Sequence, residues 1–222
     1  SCTYSDITVF SFHPVKIITT GEGGVALTNN NKLAEKMRSL RVHGITNAIS
    51  KIKDSPSSEI WNYQQIDLGF NYRMSDIHAA LGLSQMQRID QFISKRKKIA
   101  GLYFEKLKNL PIKLPWQHPD ADSSFHLFPV RVLNKKNNKQ KSIYKKLQSL
   151  GIGVNLHYIP IYLQPYYMKK GFKRGYCPES EKYFSEVISL PIFPDLESSK
   201  QIFIIDTLFN IFNENIDINY DK

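Results

Sequence analysis

An α/β fold made of two pieces is what the sequence predicts, on three observations. Short runs rich in β-branched and aromatic residues alternate with segments of helical period. The 222 residues are 41% hydrophobic and 23% charged, an ordinary globular composition with length for one large domain or two small ones. Past Pro111 and Pro115 the pattern changes, and mixed strand and helix order resumes as a small α/β unit.

The elements follow in order. Residues 6–12 and 24–28 read as strands, joined by a turn segment that carries Lys16, Thr19, Thr20, Gly21, Glu22, Gly23 and Gly24. Residues 31–42 have helical spacing through Leu33, Met37 and Leu40, with Gly44 as a stop. Residues 45–70 lack periodicity, and Pro56 among serines marks a loop. Ser75 and Asp76 are both good N-caps. From there a long helical pattern runs through Ile77, Leu81, Ile89 and Phe92, breaks, and continues through Tyr103, Leu107 and Leu110 to Pro111. Residues 124–133 look like a strand, 140–150 like a helix closed by Gly151, and 153–158 like a second strand. Helical segments near 179–187 and 198–213 close the pattern, separated by Leu190-Pro191-Ile192-Phe193-Pro194. The expected division is therefore 1–110 and 111–222.

Several classes drop out. No apolar run approaches the roughly 18–20 residues that span a bilayer, and the first residues do not read as a signal peptide. Cys2 and Cys177 have no metal or redox spacing and supply no disulfide framework. The chain begins at Ser1 and enters strand-like sequence almost at once, so it is expected to be a piece of something longer. Thirty Lys and Arg against 20 Asp and Glu give a formal charge of +10, which raises nucleic acid or an anionic ligand as partner. The basic residues gather at Lys95, Arg96, Lys97 and Lys98, and at Lys135, Lys136, Lys139, Lys141, Lys145 and Lys146. Neither cluster is interleaved with aromatics as a single-strand platform requires, and no zinc-finger or RNP pattern is present. Solvated surface charge is the expected account; no nucleic acid, membrane or metal partner is expected.

Lys16 is the most suggestive side chain. A lysine amine whose charge is suppressed attacks carbonyls to form a Schiff base. Pyridoxal phosphate chemistry also needs a hydroxyl and backbone amides for the phosphate, and glycines that allow close approach. Ser11 and the glycine turn are of that type. A solvated hairpin lysine is the competing reading of the same residues.

Ser11-Phe12-His13-Pro14-Val15-Lys16 followed by Gly21-Glu22-Gly23-Gly24 resembles the lysine motif of the DegT/DnrJ/EryC1/StrS sugar aminotransferases. The resemblance continues through Leu40-Arg41-Val42-His43-Gly44 and Leu68-Gly69-Phe70-Asn71-Tyr72-Arg73-Met74-Ser75-Asp76. It runs on through Ala79–Gln85, His126-Leu127-Phe128-Pro129, His157-Tyr158-Ile159-Pro160 and Leu190–Pro194, over nearly the whole chain. The Ser-Phe-His-Pro-Val-Lys wording and the segment 157–162 look most like the branch that serves pseudaminic acid biosynthesis.

The resemblance implies the pyridoxal-phosphate-dependent transferase fold of aspartate aminotransferase type (fold type I). Residues 1–110 would be the C-terminal part of the cofactor-binding large domain with connecting helices, its N-terminal portion absent, and 111–222 the small C-terminal α/β domain. It implies that Lys16 holds pyridoxal 5'-phosphate and that L-glutamate donates the amino group. The acceptor would be the C4 ketone of a UDP-linked 4-keto-6-deoxy-N-acetylhexosamine. Ser11 would hydrogen-bond the cofactor phosphate. Asn71 would reach the phosphate bound in a neighbouring subunit, which implies a homodimer with shared active sites. The expected location is the cytoplasm, where such substrates are.

The family's phosphate turn, ring-stacking aromatic and pyridine-nitrogen aspartate stand before the lysine, where this chain has only Ser1 to Val15. The chain alone is therefore expected to be inactive, with an open edge at the 6–12 strand. Arg73 has two readings, attraction of a substrate carboxylate or phosphate and a buried ion pair. His157 and Tyr158 could contact the nucleotide sugar or pack in the core; His126 reads as a packed histidine, and His13 as a positioning residue beside the cofactor. The tyrosines 162, 166 and 167 read as an aromatic cluster without chemistry. Rival functions are transfer to a different nucleotide-linked keto-sugar, a dehydratase relative with histidine in place of the lysine, against which Lys16 argues, and a non-catalytic basic binding protein.

Overall fold

The computed structural model describes residues 2–48, 61, 63–133 and 139–213. The Pro56 loop at 49–60, Lys135 and Lys136 lie outside the described residues. The chain divides into two compact units, 1–89 and 90–222.

In the first unit β1 (Thr8–Ser11) pairs antiparallel with β2 (Gly24–Leu27), in a register that sets Ser11 opposite Gly24. Glycine is required there, because a Cβ on Gly24 would stand 2.7 Å from the Phe10 carbonyl oxygen. Helix α1 (Asn31–Leu40) starts where the Asn30 side chain accepts from the N–H groups of Lys32 and Leu33, at 2.9 and 3.3 Å. It ends in a turn where His43 and Gly44 both take positive φ, 65° and 68°. That turn crosses the segment 66–72: His43 N–H donates to the Phe70 carbonyl at 2.9 Å, and Tyr72 N–H to the Arg41 carbonyl at 2.9 Å. Lys36 pairs with Asp67 over the same crossing. Two short strands extend it, β3 (Ile45–Thr46) against β4 (Gln64–Gln65), within a stretch the sequence had read as loop. Helix α2 (Asp76–Met86) is capped by Ser75, as its sequence predicts. Among the described residues of this unit, only Ile18, Thr20 and Gly44 are buried, while Ile77 and Leu83 of α2 are 82% and 69% exposed.

The second unit has a core of its own. It begins with α3 (Ile89–Leu107), after the helical break that the sequence anticipates. A three-stranded antiparallel sheet runs β5 (Ile112–Lys113), β6 (Phe128–Val132), β7 (Val187–Leu190). Phe128, Val130 and Val132 point one way from β6 and join Tyr103 and Leu107 of α3 in one apolar cluster. Helix α4 (Lys139–Ser149) adds Ile143 and Leu147, and α7 (Ser198–Asn213) adds Ile204, Leu208 and Ile211. Because α3 belongs to this core, the contacts divide the chain at Ile89, ahead of the composition change at Pro111.

Polar anchors fix the core's edges. Arg96, expected as surface charge, is buried: its Nη1 donates to the carbonyls of Phe125, His126 and Ile192 at 3.1, 3.3 and 3.0 Å. Its neighbours Lys95 and Lys97 meet Asp195 and Asp122 at the surface. The Tyr103 hydroxyl donates to the Pro191 carbonyl at 2.9 Å. Arg131 grips Glu186 through Nε and Nη2 at 2.8 and 2.6 Å, at the end of α6 (Pro178–Glu186).

The strand expected at 153–158 is a single bridge between Asn155 and Ser189. The third strand of the sheet is β7 instead, which the sequence had read as the end of a helix and the start of a linker. After the bridge come a 3₁₀ turn at Ile161–Leu163 and the one-turn α5 (Pro165–Met168). No helix among the described residues is long and apolar enough to cross a membrane.

Candidate functional site

Lys16 lies in the loop between β1 and β2, and that loop is tied down on itself. Phe12 N–H donates to the Gly23 carbonyl at 2.9 Å, and Thr20 N–H to the Phe12 carbonyl at 3.0 Å. The Thr19 hydroxyl donates to the same Phe12 carbonyl and accepts from Gly21 N–H at 2.9 Å. Lys16 itself closes a tight turn, its N–H donating to the His13 carbonyl at 2.9 Å. A Cβ on Gly23, whose φ is 150°, would come within 2.5 Å of the Met74 methyl and of Thr20 Oγ1. The loop is thus pressed against the segment that carries Asn71 and Arg73.

The Lys16 side chain is half-buried, and its amine has no hydrogen-bond or ion-pair partner among the described residues. Ser11 is exposed at the end of β1; its Oγ accepts from His13 N–H at 3.3 Å, which leaves its hydroxyl proton to give. His13 is exposed, with Nε2 4.0 Å from Glu22. Asn71 is bridged to Val42, and its Oδ1 accepts from Arg73 Nε at 3.1 Å. Arg73 is exposed, so the buried ion-pair reading does not describe it.

His157 and Tyr158 belong to the second unit. His157 is half-buried with Nδ1 2.8 Å from Ser189 Oγ, and burial pushes its pKa below the ordinary imidazole value. Tyr158 is 68% exposed, its ring edge-on to His157 with centroids 4.5 Å apart. It lines an open cavity of about 400 Å³ together with Pro160, Glu179, Ser180 and Tyr183. Core packing therefore does not describe Tyr158. Nearby, the Tyr162 hydroxyl donates to Glu181 Oε1 at 2.6 Å, and Gly175 N–H to the same oxygen at 2.5 Å. These bonds hold the Glu181 carboxyl below its ordinary pKa. His126 is half-buried, and its carbonyl is one of the three that Arg96 binds. Sequence reasoning missed Ser189 and the α6 side of the cavity; the lone hydroxyl inside Val187-Ile188-Ser189-Leu190 was the available signal. No group of acidic, histidine and cysteine side chains that could hold a metal exists among the described residues.

A model of the DegT/DnrJ/EryC1/StrS aminotransferase family matches residues 1–209. The UDP-4-amino-4,6-dideoxy-N-acetyl-beta-L-altrosamine transaminase of Campylobacter jejuni is 32% identical over 211 residues, 95% of this chain and 53% of that protein. Among solved structures, Helicobacter pylori PseC, an aminotransferase involved in the biosynthesis of pseudoaminic acid, is 30% identical with a TM-score of 0.83. That match covers 95% of this chain and 54% of PseC. A Streptococcus pneumoniae protein assigned as a sugar aminotransferase, solved in its PMP form, is 29% identical with a TM-score of 0.85, over 95% of this chain and 54% of the other. The chain spans about half the length of the relatives it matches.

Proposed function

Since the chain belongs to the DegT/DnrJ/EryC1/StrS aminotransferase family, we propose that it serves in a pyridoxal-phosphate-dependent nucleotide-sugar aminotransferase. The reaction moves an amino group from L-glutamate to the C4 ketone of a UDP-linked 4-keto-6-deoxy-N-acetylhexosamine, as in pseudaminic acid biosynthesis. The observation that carries the reading is the Lys16 amine, without a partner among the described residues, on a self-bonded glycine loop that begins at Ser11.

The donor set suits the cofactor. Lys16 offers a primary amine for an aldehyde, and the Ser11 hydroxyl and the Asn71 amide offer protons for a phosphate. Pyridoxal phosphate, when bound, supplies the electron sink that lets an amino group pass between an amino acid and a ketone. Lys16 Nζ would hold the cofactor, and its amine is the group that would take and return a proton. Asn71 acts on the cofactor of a second subunit, in a homodimer with shared sites. Residues 1–110 then serve the cofactor and 111–222 form the small domain. His157 and Tyr158 contact the nucleotide sugar, Arg73 attracts an anionic group of a substrate, and the reaction runs in the cytoplasm.

The test uses the product of the complete reading frame. Adding pyridoxal phosphate should produce the absorbance of a lysine-bound cofactor, and L-glutamate should convert it to the pyridoxamine form. Lys16→Ala should abolish both signals. Absence of the band in the wild-type protein would overturn the reading. A panel of UDP-linked keto-sugars then separates the acceptor named above from related ketones.

A further inference from the structure

In the second unit Ser189 of β7 meets His157, which lies two residues past the Asn155 bridge. Ser189 Oγ lies 2.8 Å from His157 Nδ1. Ser189 is 4% exposed, in a strand whose other three residues are buried and apolar. A hydroxyl in such a strand is costly unless bonded. Its side chain has one proton to donate, and His157 Nδ1 is its only side-chain partner among the described residues.

Two arrangements of protons are possible, and they are not equivalent. If Nδ1–H donated to the hydroxyl oxygen, the serine proton would be stranded in a buried strand. If the hydroxyl donates to the Nδ1 lone pair, both groups are satisfied, and the proton of the neutral imidazole stands on Nε2. Burial favours that neutral ring, since it lowers the pKa of His157. Ser189 is also rigid: its N–H donates to the Asn155 carbonyl at 2.8 Å, and Asn155 N–H returns a bond at 3.4 Å. One residue therefore anchors both the backbone leading to His157 and the ring.

We propose that Ser189 is a positioning residue that fixes His157 as the Nε2–H tautomer, so that His157 presents a hydrogen-bond donor to an acceptor oxygen of the nucleotide sugar. This rests on the reading of His157 as a substrate contact. The adjacent Tyr158, whose ring stands edge-on to His157 with centroids 4.5 Å apart, lines the open cavity described above.

The experiment combines two readouts on the complete protein. Long-range proton–nitrogen correlation spectra of histidine-labelled wild-type protein should show His157 protonated at Nε2, and Ser189→Ala should yield a mixture of tautomers. Steady-state kinetics of Ser189→Ala should show KM for the UDP-linked keto-sugar raised about fivefold to tenfold, the scale of one hydrogen bond, with kcat nearly unchanged. Ser189→Thr, which keeps the hydroxyl, should restore both signals. In a His157→Ala background Ser189→Ala should add nothing. Protonation at Nδ1 in the wild type overturns the proposal, and so does an equal rise in KM in the His157→Ala background. An active wild type whose KM is untouched by His157→Ala overturns this proposal alone. A wild type with no glutamate-dependent transamination overturns the proposed function as well.

Discussion

Arg73 Nε donates to Asn71 Oδ1 at 3.1 Å, so the amide nitrogen is the end of Asn71 left to give a proton. An asparagine amide without such a partner turns freely between its oxygen and nitrogen faces. Arg73→Ala should therefore weaken pyridoxal phosphate binding about fivefold, the scale of one hydrogen bond. Asn71→Ala should weaken it at least as much, and the double variant should lose little more than Asn71→Ala alone. An absorbance titration with the cofactor reads all three.

Two glycines should answer the same substitution with opposite signs. A Cβ on Gly69 collides with the backbone of Gly44 and His43, which cannot yield, whereas a Cβ on Gly101 in α3 meets nothing within 4 Å. Gly69→Ala should cost about 2–3 kcal/mol of stability. Gly101→Ala should add about 0.5–1 kcal/mol from helix propensity. Urea unfolding of the two variants makes the comparison.

Arg96 should resist even conservative replacement. Its guanidinium satisfies three carbonyl oxygens from two separate segments. Arg96→Met strands those acceptors and should cost on the order of 3 kcal/mol. Arg96→Lys should recover only part, because all three bonds leave from Nη1 and the lysine ammonium ends one bond short of that position. Equilibrium unfolding is again the measurement.

The Tyr162 hydroxyl, first among several bonds, holds the Glu181 carboxyl below its ordinary value of 4.5. The unfolded chain then takes up the proton before the folded one does. The stability this bond contributes is present above about pH 4.5 and is lost as pH falls through the lower folded value. Unfolding midpoints measured from pH 7 to pH 3 should fall in that acid window, and Tyr162→Phe should flatten the fall. Equal slopes for the two proteins would contradict the assignment.

Much of the fold is legible in the sequence because helices announce themselves twice. The Ser75 cap and the apolar spacing in 198–213 both recur as predicted. Strand β7 was missed for a physical reason. All four of its residues are buried, so it lacks the alternation that marks a half-buried strand, and it follows α6 without a break. In 153–158 the alternation is real, since Val154 is buried and Leu156 packs on the core, yet pairing stops at one bridge. Lys16 and Ser11 were legible as candidates because their neighbours in sequence are their neighbours in space. Ser189 was not, because it meets His157 across 32 residues of chain.

The basic run at 95–98 reaches less far into solvent than a count of its charges suggests. Lys95 and Lys97 stand against Asp195 and Asp122. Arg96 is turned inward onto the carbonyls of Phe125, His126 and Ile192. An anion drifting toward this stretch meets charges already answered, so the formal +10 of the sequence is a poor guide to where long-range attraction begins.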